Sequence, residues 1–160
     1  MIFEFRPSFA DQYQASFAVM LRSPLQLLLM PAFPLAGLVA TVLAYRRAGS
    51  VSPIHILVLF LCFAFTPNVL AFNVWLSRRK NRTIEGLHRY AVDEAGLAIA
   101  APAFDVHLKW SALHRVVETP RYFLFFLSTQ TAYFIPKAVV GDRAAELRAI
   151  ISHGISTVSA

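Results

Sequence analysis

The chain has 160 residues, about the length of one domain, and 57% of them are hydrophobic while only 15% are charged. A soluble domain typically carries about a quarter charged residues, so this composition argues against an ordinary soluble protein. The net charge of +6 would suit a nucleic-acid-binding protein, but no aromatic-basic RNA motif accompanies the basic residues, and we expect no nucleic acid among the partners.

The first 22 residues predict a short strand followed by an amphipathic helix. Phe3 and Phe5 alternate with charged residues, a pattern typical of a half-buried strand. A capping pattern at Ser8 then begins a helix over residues 8–22, in which apolar residues recur at helical spacing. The sequence leaves open whether this helix lies in the membrane interface or packs on the C-terminal domain.

Two uncharged apolar runs follow, at residues 25–45 and 54–76. Each is long enough, at about 1.5 Å rise per residue, to cross the ~30 Å hydrocarbon core of a bilayer. Because the chain has no other long helices that could bury these runs, we predict a transmembrane helical hairpin over residues 23–77. Two prolines should kink the first span, Pro31 and Pro34.

A stripe of small residues in the first span allows another helix to approach closely: Ala36, Ala40 and Ala44. The expected partner of this stripe is the second span, because the connecting loop is short. A homo-oligomer through the same stripe is the alternative. The single cysteine, Cys62, lies within the second span, where it behaves as a small hydrophobe and can form no intrachain disulfide.

Basic residues flank the two spans unevenly. The loop between the spans carries only Arg46 and Arg47, whereas the other two flanks carry Arg6, Arg22, Arg78, Arg79, Lys80 and Arg82. The positive-inside rule therefore predicts a multi-pass protein with both termini in the cytoplasm. Juxtamembrane charges of this kind are attracted to anionic lipid headgroups.

Residues 78–160 predict a cytoplasmic domain of short antiparallel strands closed by one helix, so the chain is a membrane α+β protein with a C-terminal roll or barrel. The strand candidates are residues 87–92, 97–101, 105–110, 113–119, 122–128 and 131–135. In the third of these, His107 and Lys109 alternate with Leu108 and Trp110, so Trp110 should face the core. The final helix is expected over residues 142–153, with an apolar stripe formed by Ala145, Leu147, Ile150 and Ile151.

Four short segments of this domain carry a resemblance to a known family. They are Tyr-Ala-Val-Asp-Glu-Ala-Gly-Leu at residues 90–97, the stretch from Leu108 to Thr119, Tyr-Phe-Leu-Phe at residues 122–125, and Phe-Ile-Pro-Lys at residues 134–137. In combination, and behind two spans, they resemble the YcxB-like family of bacterial membrane proteins over most of the chain. The resemblance implies a location in the bacterial inner membrane and a domain similar to pleckstrin-homology (PH) folds, and it carries over no catalytic residues. The residues that mark this fold are Gly96, Leu108, Trp110 and Pro136.

The favoured function is a non-catalytic regulatory or scaffolding module that binds a protein partner or anionic lipid headgroups. The candidate contact residues are basic: Arg78, Arg79, Lys80, Arg82, Lys109 and Arg115. We expect no cofactor and no metal, because the histidines match no zinc-ligand spacing and no glycine-rich phosphate loop or nucleophile turn is present.

Two alternatives are weighed against this function. A membrane-bound enzyme could build a composite site from His107, Lys109, His114 and Glu118. An oligomeric transporter or channel is less favoured, because the spans contain no charged residue. Their only strongly polar residues are Gln26, Asn68 and Asn73, besides His55 near one end.

Overall fold

Two long apolar helices are inserted into an antiparallel domain in the computed structural model, which describes residues 1–80, 86–102 and 104–158. Before the helices come strand β1 (Ile2–Phe5) and helix α1 (Phe9–Met20). Ser8 caps α1, because its hydroxyl accepts a hydrogen bond from the Asp11 amide while the Asp11 carboxylate accepts from the Ser8 amide. The predicted strand, helix and capping pattern are confirmed.

The first candidate membrane span consists of α2 (Pro24–Leu29) and α3 (Ala32–Ala48), and the second is α4 (Pro53–Lys80). The predicted kink is confirmed as a break in the helix at Met30 and Pro31. In the most apolar window of each span, 6% and 0% of the residues are buried. A core helix of a soluble protein would be mostly buried, so this exposure favours a membrane protein.

The two spans pack against each other, through a face of α3 that differs in part from the predicted one. Gly37 is buried against the second span, and a Cβ built on it would lie 3.0 Å from the Cys62 Cβ. The rings of Phe33 and Phe65 meet nearby with centroids 4.3 Å apart. Ala36 and Ala40 are exposed, so the expected contact with the second span is wrong for these two, whereas Ala44, the third residue of the stripe, is half-buried. A homo-oligomer through that stripe stays a prediction.

The domain contains two antiparallel sheets. The first has the order β1–β2–β3–β4, where β2 is His88–Val92, β3 is Gly96–Ala101 and β4 is Phe104–Lys109. The second has the order β5–β6–β7, with β5 Arg115–Glu118, β6 Tyr122–Phe126 and β7 Ala132–Pro136. The predicted antiparallel pairing is confirmed. Among the described residues, no strand pairing joins the two sheets into a closed barrel.

Strand β1 belongs to the first sheet, although both spans separate it from its partner. Phe3 pairs with Tyr90 and Phe5 pairs with His88. The spans are therefore an insertion between two adjacent strands of one domain. This finding changes the predicted division into units 1–22 and 78–160, because the N-terminal strand completes the sheet of the C-terminal domain.

Strand β6 is buried on both faces. Phe123 and Phe125 face the main core between the two sheets, together with Phe3, Leu97 and Ile135. The opposite face of β6 packs on helix α1 through a second cluster, formed by Ala15, Val19, Tyr122, Leu124 and Phe126. Helix α1 thus packs on the domain, which decides between the two placements that the sequence left open.

The C-terminal end of the domain has two short helical elements followed by one long helix. Helix α5 (Lys137–Val140) and a 3-10 turn (Gly141–Arg143) precede α6 (Ala144–Val158). Leu147 and Ile151 of α6 are buried in the main core and Ile150 packs against it, as predicted. The expectation for Ala145 is wrong, because that residue is exposed and Ala144 packs on the core instead. Successive residues on a helix point about 100° apart, so the apolar face of α6 begins one residue earlier than predicted.

Candidate functional site

The basic residues at the end of the second span make different contacts. Arg78 is half-buried and donates from one guanidinium nitrogen to the Pro7 carbonyl (3.1 Å) and to Gln12 Oε1 (3.3 Å). It therefore fastens the end of α4 to the N-terminal segment. Arg79 is exposed, with its guanidinium 4.4 Å from the centre of the Trp75 ring, and Lys80 is exposed at the end of the helix. Arg82 lies outside the described residues.

Two further basic residues lie where α1 packs on the sheet of β5, β6 and β7. Arg115 donates to the Arg22 carbonyl at 3.1 Å and lies over the Phe126 ring at 4.6 Å. Arg121 donates to Gln14 Oε1 of α1 at 2.7 Å. The sequence predicts Arg115 as a contact residue, but its carbonyl partner just after α1 and the Gln14 partner of Arg121 on α1 leave no periodic or motif signal.

Tyr122 also joins α1 to the sheet. Its hydroxyl donates to Asp11 Oδ1 (3.2 Å) and to Gln14 Oε1 (3.1 Å). Burial and the neighbouring Asp11 carboxylate raise the pKa of Tyr122 above its usual range, so this hydroxyl stays a hydrogen-bond donor at neutral pH. Side chains from residues about one hundred positions apart in the chain thus hold α1 on the domain.

Lys109 lies in the other sheet. It is exposed at the end of β4, where it pairs with Gly96 of β3. The structure therefore divides the predicted basic contact set between the span end, the α1 contact and the edge of the first sheet.

The four residues expected to mark the fold have structural roles. Trp110 is buried in a 3-10 turn after β4, and Leu108 packs beside the main core. Gly96 has φ +152°, and a Cβ there would lie 2.0 Å from the Leu108 carbonyl oxygen, so only glycine fits. Pro136 is buried at the end of β7, where it pairs with Tyr122.

The residues of the alternative enzyme site are spread over both sheets. His107 lies on the exposed face of β4, and His114 is exposed in the loop before β5. Glu118 contacts two residues outside the predicted set. Its carboxylate accepts two hydrogen bonds from Arg148 (2.8 and 2.9 Å) and forms an ion pair with Lys137. In the described part of the chain, no group of three or more His, Cys, Asp or Glu side chains could hold a metal ion.

Glu118 should give the domain a small acid-sensitive stabilisation. Hydrogen bonds from Arg148 and Lys137 lower the pKa of Glu118 from 4.5 to about 2. The unfolded chain therefore binds a proton first as the pH falls, so the stabilisation is present above about pH 4.5 and is lost as the pH approaches 2. Glu118→Gln should remove this part of the pH dependence, measured as thermal unfolding of the detergent-solubilised protein between pH 6 and 2.

The same substitution at the exposed Glu146 of α6 is the control for the Glu118 prediction. Because exposed ion pairs contribute little, we expect the difference between the two variants to be small at neutral pH. Identical acid unfolding of both variants would contradict the role given to Glu118.

The region that contains most of these residues runs from the end of β2 into α6. Residues 92–151 match the YcxB-like protein family. The resemblance is thus confirmed for the YcxB-like region, which holds all four fold-marking residues and both Lys109 and Arg115. The N-terminal strand, α1 and the two spans, to which the resemblance also extended, lie outside the match. No curated protein and no solved structure matches the chain.

Proposed function

We propose that the chain is a non-catalytic membrane-anchored binding module whose cytoplasmic PH-like domain lies against anionic lipid headgroups. The observation that carries this proposal is the insertion of both spans between the paired strands β1 and β2. A domain appended by one linker could swing away from the bilayer. A domain entered by one span and left by the other is fixed at two points, so its surface stays at the membrane.

Further contacts support this close placement. Helix α1 contacts both α4 and strands β6 and β7, and Arg78 bonds the end of α4 to the segment that precedes α1. Val74 is the buried residue of α4. Arg79 and Lys80 end the second span, and these contacts support a position for them beside the domain. Near a membrane surface each basic residue is worth about 1 kcal/mol of attraction to anionic lipid.

The architecture is also compatible with the PH-like part of the proposal. One sheet of four strands and one of three are followed by a single long C-terminal helix. The positive-inside rule supports cytoplasmic termini in a bacterial inner membrane. A reporter fused to the C-terminus tests this orientation, and a periplasmic signal would overturn it.

The experiment on lipid contact uses the full chain in nanodiscs of phosphatidylcholine, with and without phosphatidylserine. We expect the anionic lipid to slow amide hydrogen exchange in β5 and β6, because the docked domain opens less often. The protection should weaken in high salt, because mobile ions screen exposed charges.

A charge-matched pair of variants separates headgroup contact from a general effect of net charge. Arg79→Gln combined with Lys80→Gln should reduce the protection by anionic lipid. Arg46→Gln combined with Arg47→Gln, in the loop between the spans, removes the same charge and should leave it unchanged. Equal exchange in neutral and anionic nanodiscs would contradict lipid contact, and a protein partner would then be the expected ligand of the domain.

A further inference from the structure

An open cleft of about 390 Å³ lies between the cytoplasmic end of the spans and the domain. We refer to it as the interfacial cleft. Its walls come from α1, the start of α2, the last third of α4 and the β6–β7 turn. The polar residues that line it and matter here are Gln12, Ser16, Gln26, Asn73, Ser77 and Gln130.

The position of the interfacial cleft along α4 is that of the headgroup layer. Helix α4 has 28 residues, or ~42 Å at the usual rise, against a hydrocarbon core of ~30 Å. With Pro53 at the far boundary, the last ~12 Å, which includes Asn73 and Ser77, extends into the headgroup layer. Trp75 lies between them, 42% exposed and stacked on Phe72. Exposed tryptophans of this kind are enriched at the membrane interface.

The polar side chains that line the interfacial cleft are uncharged, and one of them carries an unpaired acceptor. None of the described residues that line it is charged. Within the described part of the chain, Gln26 Oε1 is buried without a hydrogen-bond partner. An unsatisfied buried acceptor is a net cost to the fold, so a donor from outside the chain would be bound favourably here.

The third strongly polar residue of the spans behaves differently. Asn68 donates from its side-chain nitrogen to the Ala64 carbonyl at 2.7 Å and is exposed on the surface of α4. Its amide is thus satisfied by its own helix, as expected for an amide in an apolar span. Gln26 and Asn73, on different helices, instead line the same cleft.

We propose that the interfacial cleft binds a membrane glycerolipid whose headgroup ends in an uncharged polyol. A hydroxyl both donates and accepts hydrogen bonds, so it can donate to Gln26 Oε1 and accept from the amide of Asn73. An ammonium group would find no carboxylate in the lining, and burying it there is unfavourable. The apolar floor, Ala15, Val19, Leu70, Val74 and Phe134, suits the glycerol esters and the first carbons of the acyl chains.

Arg78 places a positive charge at the rim of the interfacial cleft, since it donates to Gln12 Oε1. A phosphate between the polyol and the glycerol backbone can lie beside this guanidinium. The inference rests on the membrane placement given under the proposed function, and it adds selectivity for one headgroup among lipids of equal charge.

The test compares two lipids that each carry one negative charge. The full chain is placed in nanodiscs with equal amounts of phosphatidylglycerol and phosphatidylserine in phosphatidylcholine, then extracted gently, and the retained lipid is counted by native mass spectrometry. We expect phosphatidylglycerol to be retained about fivefold over phosphatidylserine, the ratio that one neutral hydrogen bond provides. Equal retention of the two would overturn the inference, whereas retention of both over phosphatidylcholine would still support the proposed function.

Three variants locate the selectivity. Gln26→Leu and Asn73→Leu should each reduce the preference for phosphatidylglycerol toward unity. Asn68→Leu, the same change on the same helix outside the interfacial cleft, should keep it. Replacement of Gln26 removes an unpaired buried acceptor, so that variant should remain folded, with unchanged hydrogen exchange in β6. If the preference for phosphatidylglycerol survived both cleft substitutions, the selectivity would arise at another surface and the inference would be wrong.

Discussion

Trp110→Ala is expected to destabilise the domain by about 3–5 kcal/mol, the usual cost of removing a large buried aromatic side chain. The indole is only 4% exposed and belongs to the main core. It touches α6 so closely that a Cβ on Gly154 would lie 2.4 Å from it. Its nitrogen donates to the carbonyls of Asp93 and Glu94, both at 3.1 Å, so the substitution also releases the β2–β3 turn. Amide hydrogen exchange of β6 and α6 in the full chain measures the loss.

Two further variants separate the contributions at Trp110. Trp110→Phe keeps most of the packing and loses the donor, so we expect a smaller destabilisation of about 1 kcal/mol for the lost hydrogen bonds. His107→Ala, on the exposed face of the preceding strand, should change the free energy of unfolding by no more than about 0.5 kcal/mol. If Trp110→Ala were as mild as His107→Ala, Trp110 would not connect the turn to α6.

Local periodicity was sufficient to predict the side-chain directions in β4 and the turn after it. Strict alternation places Leu108 on the core side and His107 and Lys109 on the exposed side, and the structure agrees. The cluster His107–Glu118 therefore includes parts of two sheets. Its buried members mark the fold, and Glu118 pairs with helices α5 and α6. Strand alternation is visible in the sequence because one face of each strand must be apolar.

Periodicity could not predict how the spans meet. Both faces of a membrane helix are apolar, so the hydrophobic pattern does not select the side that packs on a neighbour. Ala36 and Gly37 are both small, and only the packed structure shows that Gly37 is the one against Cys62. The polar lining of the interfacial cleft could not be predicted for the same reason. Gln26 and Asn73 are visible as rare polar residues, but nothing local places them together.

The pairing of β1 with β2 was beyond local reasoning for another reason. The alternation of Phe3 and Phe5 predicts a strand but not its partner, and its neighbour in the sheet begins at His88. No turn connects the two strands, so there is no hairpin signal to set their register. The contacts of Arg78 could not be predicted for the same reason, because its hydrogen-bond partners, Pro7 and Gln12, are also far from it in the sequence.

Phe3→Ala should destabilise the YcxB-like region by about 3–5 kcal/mol, although Phe3 lies outside it in sequence. Phe3 is 1% exposed in the same core as Leu97 and Phe123, and the Arg143 guanidinium lies 4.7 Å from its ring centre. The expected result is faster hydrogen exchange in β2, β3 and β6, measured on the full chain in nanodiscs.

Ile2→Ala is the matched control for Phe3→Ala, because Ile2 lies on the same strand but is 46% exposed. Its effect should be within about 0.5 kcal/mol, as for other surface substitutions. A large loss at Phe3 with little at Ile2 means that the inward face of β1 completes the core, so the spans interrupt one folding unit. Equal, small effects of the two substitutions would mean that β1 does not contribute to the sheet. The domain would then be attached to the spans only after α4, without the double attachment on which the membrane placement depends.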